Sequence, residues 1–120
     1  MLKNTNWVNL MHKYLVKKGR YFDRDIEKIE VFLSANDCPE NVIQKHFEKI
    51  YESMVILRDN PQIGTCLSTK TSIPNDYRYL ISGQYLIFYK VFDSEKTVRV
   101  YRVFHSKENY LAKLDLSLAP

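Results

Sequence analysis

Cysteine is nearly absent from this chain. The two it has, Cys38 and Cys66, sit 28 residues apart with no second Cys or His at ligand spacing, which argues against a zinc site. Long apolar runs are missing as well. No stretch approaches the ~18 residues that cross a bilayer, and the N-terminus carries no apolar segment like that of an exported protein. The expectations are therefore no membrane contact, a cytoplasmic location and reduced thiols, although one disulfide between the pair stays open. Internal repeats and low-complexity tracts are also lacking.

What the chain does contain is ordinary globular material, 45% hydrophobic and 27% charged over 120 residues. That length suits one domain spanning 1–120, large enough to bury a core without staples. Aromatic residues stand out, with nine Tyr and six Phe. The net charge of +4 is unevenly spread: residues 20–60 carry six Lys/Arg against nine Asp/Glu, whereas 76–113 carry seven against four. Two readings follow. Either both halves are simply solvated, or the basic C-terminal half meets an anionic partner, nucleic acid or an acidic protein.

Along the chain, residues 1–12 have no firm period and read as an N-terminal extension, with Met11 a second candidate start. Tyr14-Leu15-Val16 reads as a short strand. From Asp23 the period becomes helical, with Phe22, Ile26, Ile29, Phe32 and Leu33 as one apolar stripe. Asn36 and Asp37 end that helix. A second is expected to open with Asp37 as N-cap, Pro39 in the first turn and Glu40 three residues after the cap. Its stripe is Ile43, Phe47, Ile50, Met54 and Leu57, stopped by Asn60-Pro61 and Gly64. The two helices form an antiparallel hairpin that needs a sheet to cover.

Residues 65–75 read as a loop. Tyr77–Ile81, Gln84–Phe92 and Thr97–Phe104 then read as strands, joined by Ser82-Gly83 and by Asp93–Lys96. Turns this short require an antiparallel meander. The strands lack strict alternation, so both faces are expected to be covered. Lys107–Leu114 closes the chain as a short helix. The fold class is α+β: a helical hairpin on an antiparallel β-sheet, in the order β-α-α-β-β-β-α.

Tyr77-Arg78-Tyr79-Leu80-Ile81, Gly83 to Val91, Val98 to His105 and Asn109-Tyr110 together resemble the C-terminal half of RelE/ParE toxins. Upstream, Leu57-Arg58-Asp59-Asn60-Pro61 followed by Gly64 resembles the Leu-x-x-x-Pro-x-x-Gly end of that family's second helix. The likeness covers about residues 13–114. It implies the toxin of a bacterial type II toxin–antitoxin (plasmid stabilisation) system, silenced by a cognate antitoxin and inhibiting growth when released. It implies no cofactor and no metal. Within the family, ParE-like members poison DNA gyrase and RelE-like members cut mRNA on the ribosome, and a shared fold does not choose between them.

A metal-free ribonuclease needs a group to activate the ribose hydroxyl, cations for the phosphate and an acid for the leaving oxygen. His105, Arg78 and Tyr110 are the candidate catalytic residues on that reading, and Arg102, Lys107 and Lys90 the candidates for holding nucleic acid or the target. Each has a plainer role beside it. His105 can cap the last helix, Arg102 can pair with a carboxylate or a helix C-terminus, and Arg78 can serve structure. The stripe of Tyr79, Tyr85, Tyr89 and Tyr101 can fill the core rather than stack on bases. One departure weighs more: where ribonuclease members resemble Arg-Leu-Val-Tyr on the middle strand, this chain has Leu86-Ile87-Phe88-Tyr89. Of the paired lysines expected on the preceding strand, one position is Arg78 and the other Leu80. The cationic set is thus incomplete, which favours ParE-like gyrase inhibition without catalysis. RelE-like cleavage is the alternative, and a non-toxic binding module on the same fold the third. Val91 and Phe92 are candidate antitoxin contacts, not separable from core by sequence.

Overall fold

Helices form where apolar residues recur at intervals of three and four: α1 spans Phe22–Ala35 and α2 spans Glu40–Ile56 in the computed structural model, which describes residues 13–114. The expected extension 1–12 lies outside the described residues. On α1, Phe22 and Ile29 are buried and Ile26 and Leu33 partly so, but Phe32 is 60% exposed. At 3.6 residues per turn Phe32 sits about 80° round the helix from Phe22. It therefore leaves the core stripe for a flank it shares with Asp25. On α2 the expected stripe holds: Ile43, Ile50, Met54 and Leu57 are buried and Phe47 partly. Each such side chain contributes about 1.5–3 kcal/mol by leaving water.

The junction between the helices differs from the expected capping box. Asp37 has φ +60 and belongs to the end of α1. Its N–H donates to Ser34 O at 3.1 Å and the Cys38 N–H to Leu33 O at 3.0 Å, the paired bonds of a Schellman ending. A residue in that left-handed conformation cannot also cap α2, which starts after an extended Pro39 with no side-chain cap.

Five strands form one sheet in the order β1-β5-β4-β3-β2, with β1 Leu15–Lys18, β2 Thr65–Cys66, β3 Arg78–Ser82, β4 Tyr85–Phe92 and β5 Thr97–His105. The meander β3-β4-β5 is antiparallel as expected, but β1 runs parallel to Thr97–Val100, so the sheet is mixed. That pairing joins residues some 80 positions apart and has no local signal. The 65–75 segment is not all loop, since β2 pairs with β3 before a 3-10 turn at Leu67–Thr69. The β3–β4 hairpin turns at Gly83-Gln84, one residue later than expected, because Ser82 pairs with Tyr85. Gly83 leads that turn with φ +59, the conformation two-residue hairpins ask of a first loop glycine.

Both faces are covered. Tyr85, Ile87, Tyr89, Val98, Val100 and Val103 pack beneath the helices, and Tyr79, Leu86, Phe88 and Phe104 pack beneath Leu67, Tyr110 and Leu114. Between Val100 and Arg102 the register with β4 slips, leaving Tyr101 as a bulge. The bulge takes Arg102 off the pleat of Val100 and leaves it in alternation with Phe104. The closing helix shrinks to one turn, α3, Tyr110–Lys113. No helix among the described residues is long and apolar enough to cross a membrane. Cys38 and Cys66 are both free thiols.

Candidate functional site: a groove beside the uncovered half of β5

β1 stops short of the end of β5. Gly19 donates its N–H to Val100 O at 2.7 Å and the chain then turns into α1. A Cβ on Gly19 would lie 2.9 Å from Val100 O, so the close approach needs glycine. The strand beyond Val100 is left facing a groove of about 660 Å³ between α1 and the segment leading to α3. Ile29, Phe32, Tyr85, Val103 and Phe104 supply apolar walls, Lys28, Arg102, Lys107 and Lys113 bring cationic groups to it, and His105 adds an imidazole.

Asp25 is the buried charge of this groove, 3% exposed. Its carboxylate accepts from Arg102 Nε at 2.8 Å, Arg102 Nη2 at 3.1 Å and the Val103 N–H at 3.0 Å. A carboxylate out of water needs such a set of donors. Arg102 also lies over the Phe104 ring at 4.5 Å, so its guanidinium is held both by the carboxylate and by a ring face. The carboxylate partner expected for Arg102 is thus Asp25.

His105 is equally committed. Its Nδ1 accepts the Lys107 N–H at 3.1 Å, which places the proton of a neutral ring on Nε2, 3.2 Å from Gln84 Oε1. Its own N–H donates to Glu108 Oε2 at 2.7 Å. Burial alone would raise the Glu108 carboxyl. The hydrogen bonds from Lys113 and the His105 N–H outweigh that and hold it below the usual range. On the other side of the His105 ring stands Tyr85, edge-on at 5.8 Å, whose hydroxyl is 3.0 Å from His46 Nδ1. Burial, then the nearby Cys38 thiol, push the Tyr85 hydroxyl up.

Arg78 lies elsewhere, lining a smaller hollow with Gln62 and Asp76. Its Nη1 donates to Gly64 O at 2.8 Å and Gln62 O at 3.1 Å. Tyr89, its partner across the strands, donates its hydroxyl to Pro61 O at 2.8 Å and accepts the Gly64 N–H at 2.8 Å. A Cβ on Gly64 would fall 2.5 Å from Tyr89 Oη, which excludes any side chain there. The Pro-x-x-Gly stretch is thereby explained: it is the backbone that Arg78 and Tyr89 grip. Lys90, 8% exposed, pairs with Asp76 at 3.2 Å and lies 4.4 Å over the Tyr77 ring. Tyr110 stacks on Phe88 with ring centres 5.3 Å apart. Leu86, at the departing middle-strand position, is buried in the far core.

Of the expected site residues, then, Arg102, His105 and Lys107 share the groove, while Arg78, Lys90 and Tyr110 do not line it. Sequence reasoning missed Asp25, Lys28, Tyr85 and Glu108 as groove residues. Asp25 did carry a signal, being a charged residue three after Phe22 and four before Ile29, on the flank of an apolar stripe. Among the described residues no group of three or more His, Cys, Asp or Glu can hold a metal ion.

A helical hairpin on a mixed five-stranded sheet is a fold shared with solved chains of toxin–antitoxin systems. A chain of the chromosomal ParDE system from P. aeruginosa superposes with a TM-score of 0.64 at 18% identity, covering 80% of this chain and 99% of its own. A chain of the RelBE2 complex from Mycobacterium tuberculosis gives 0.52 at 20% identity, with 82% and 97% covered. One of the RelE–RelB complex from Pyrococcus horikoshii gives 0.51 at 16%, with 80% and 98% covered. A search of curated proteins returned no match. The family model described as "ParE toxin of type II toxin-antitoxin system, parDE" matches residues 16–110, and the chain belongs to that family.

Proposed function

We propose that this chain is a growth-inhibiting toxin that acts in the cytoplasm by binding DNA gyrase, cuts no RNA, and is held silent by a cognate antitoxin seated in the β5 groove. One observation carries the reading: four of the six side chains a nuclease would call on are already spent. Arg78 is bound to two carbonyls, Lys90 to Asp76, Arg102 to Asp25, and both His105 ring nitrogens have partners. Stabilising a phosphorane takes cations that converge on one point and are free to meet it. Here Arg78 and Lys90 are outside the groove. The neighbours' titles name toxin–antitoxin systems and complexes, which supports an antitoxin as the partner.

The ribonuclease reading keeps one point in its favour, the presence of Arg102, His105 and Lys107 along one groove. Against it, Tyr110 turns its ring to Phe88 and Leu86 leaves the middle strand without a cation. Induced expression with and without the adjoining reading frame tests the proposal. Gyrase binding predicts filamentation and DNA damage that the neighbour relieves. Translation arrest with cleaved transcripts would replace it by the ribonuclease, and normal growth by a non-toxic binding module.

A further inference from the structure

β1 is the outer strand of the sheet, and along it and the turn that follows runs a row of cations without carboxylates. Lys17 stands beside Arg99, its register partner on β5. Burial lifts the Tyr101 hydroxyl, and Arg99 is the charge that opposes the shift, which sets its guanidinium near that ring. Tyr101 in turn lies against Gly19, where a Cβ would sit 3.3 Å from Tyr101 Cα. Directly after Gly19 come Arg20 and, four residues on, Arg24, with their Cζ atoms 5.7 and 5.8 Å from the centre of the Tyr21 ring. Among the described residues, none of Lys17, Arg20, Arg24 and Arg99 forms an ion pair, and Asp23 in the same stretch is taken by Lys18 at 3.5 Å. Lysine on an edge strand ordinarily deters pairing with other chains, which accounts for Lys17. It does not account for Arg20 and Arg24, which lie past the end of the strand, nor for Arg99, one strand in.

We propose that this row is a contact surface for the phosphate backbone of duplex DNA. None of its four cations lines the β5 groove. From Lys17 through Arg20 to Arg24 the chain reaches at most about 16 Å, the length over which one DNA strand presents about four phosphates. A protein interface centres on apolar side chains and is poor in unpaired charge, so a row of four free cations suits a polyanion better. Single strands and RNA loops are held by bases stacked on open ring faces. Here Tyr21 is ringed by Arg20, Arg24 and Arg102, and the half-buried Tyr101 ring meets Tyr77, so neither is open to a base. The contact is therefore to backbone and indifferent to sequence. The charge tally pointed to residues 76–113, yet three of these four cations come from 17–24, and only the fold brings Arg99 to them. The surface goes beyond the gyrase reading and stands without it, although a chain resting on DNA is carried to an enzyme that works on DNA.

Fluorescence anisotropy of a labelled DNA duplex of about 20 base pairs, titrated with the full chain between about 50 and 200 mM salt, tests this. Four neutralised phosphates predict a log–log slope of affinity against salt of about −3 to −4. Arg20 and Arg24 are exposed, so Arg20→Ala with Arg24→Ala keeps the fold. That variant is expected to bring the slope to about −2 and to weaken binding about tenfold or more at the lowest salt. Lys45→Ala with Lys49→Ala, the same loss of charge at exposed α2 positions, is expected to leave the slope unchanged. Equal losses in the two double variants would mean a general attraction to a basic chain and would overturn the row, as would no binding at about 50 mM salt. Tighter binding of the single strand would overturn the duplex. Competition by polyglutamate as effective as by unlabelled duplex would overturn DNA in favour of an acidic protein.

Discussion

Removing one oxygen from Tyr89 tests how the toxin fold holds its Pro-x-x-Gly stretch. Tyr89 is fully buried, and its hydroxyl is both donor to Pro61 O and acceptor for the Gly64 N–H. Tyr89→Phe keeps the ring and strands both backbone groups. Each unsatisfied buried group costs about 1–3 kcal/mol, so the pair is expected to cost about 2–6 kcal/mol. That is a large share of the roughly 5–15 kcal/mol by which a domain of this size is stable. With a urea m-value of about 1–2 kcal/mol/M, the midpoint should fall by about 2 M while the slope stays unchanged. Arg78 still grips Gly64 O, so the loop stays anchored and the change remains a local one. Toxicity per folded molecule should be unaffected. A midpoint shift below about 0.5 M would refute the claim that this hydroxyl organises the loop.

Four further outcomes are expected. Asp25→Ala leaves Arg102 and the Val103 N–H without their acceptor and should cost about 3–5 kcal/mol in denaturant unfolding, as for a broken buried pair. His105→Ala should leave growth arrest intact, scored by colony counts after induction. Glu108 has a folded pKa below its ordinary 4.5, so its contribution is present above that value and is lost as pH falls through the lower folded one; Glu108→Gln should flatten acid unfolding in that window. Burial lifts the Tyr101 hydroxyl to about 12 from 10, so stability should decline as pH climbs between those values, and Tyr101→Phe should remove the decline. That hydroxyl has no hydrogen-bond partner among the described residues, so the same variant should unfold at neutral pH no more easily than the parent.

Local periodicity made the helices and the meander legible, because Ile43, Phe47, Ile50, Met54 and Leu57 repeat at helical intervals and the strands are separated by turns of two to four residues. What lay beyond one segment was not legible. The parallel pairing of β1 with β5 depends on where the hairpin deposits the chain, and the bulge at Tyr101 appears only once two strands are in register. Asp37 carried the signature of an N-cap, yet the Schellman ending of α1 claimed it first. At the site, sequence identified Arg102 and Lys107 but neither Lys28 nor the residue that Arg102 pairs with. Arg102 looks the same on paper whether it holds phosphate or Asp25; only the distance of 2.8 Å distinguishes the two. Asp25 and Glu108, which mask the strand edge, lie 77 or more positions from one end of the groove or on a short turn with no motif of their own.

The central claim is that Arg78, Lys90, Arg102 and His105 are committed to the fold, leaving the chain to act by occupying a protein surface. Purified gyrase relaxing and supercoiling a plasmid measures this most directly. Added chain is expected to block supercoiling and trap broken DNA, and His105→Ala is expected to do so equally well. Unaltered supercoiling, together with ribosome-bound mRNA cut by the unaltered chain but not by His105→Ala, would contradict it.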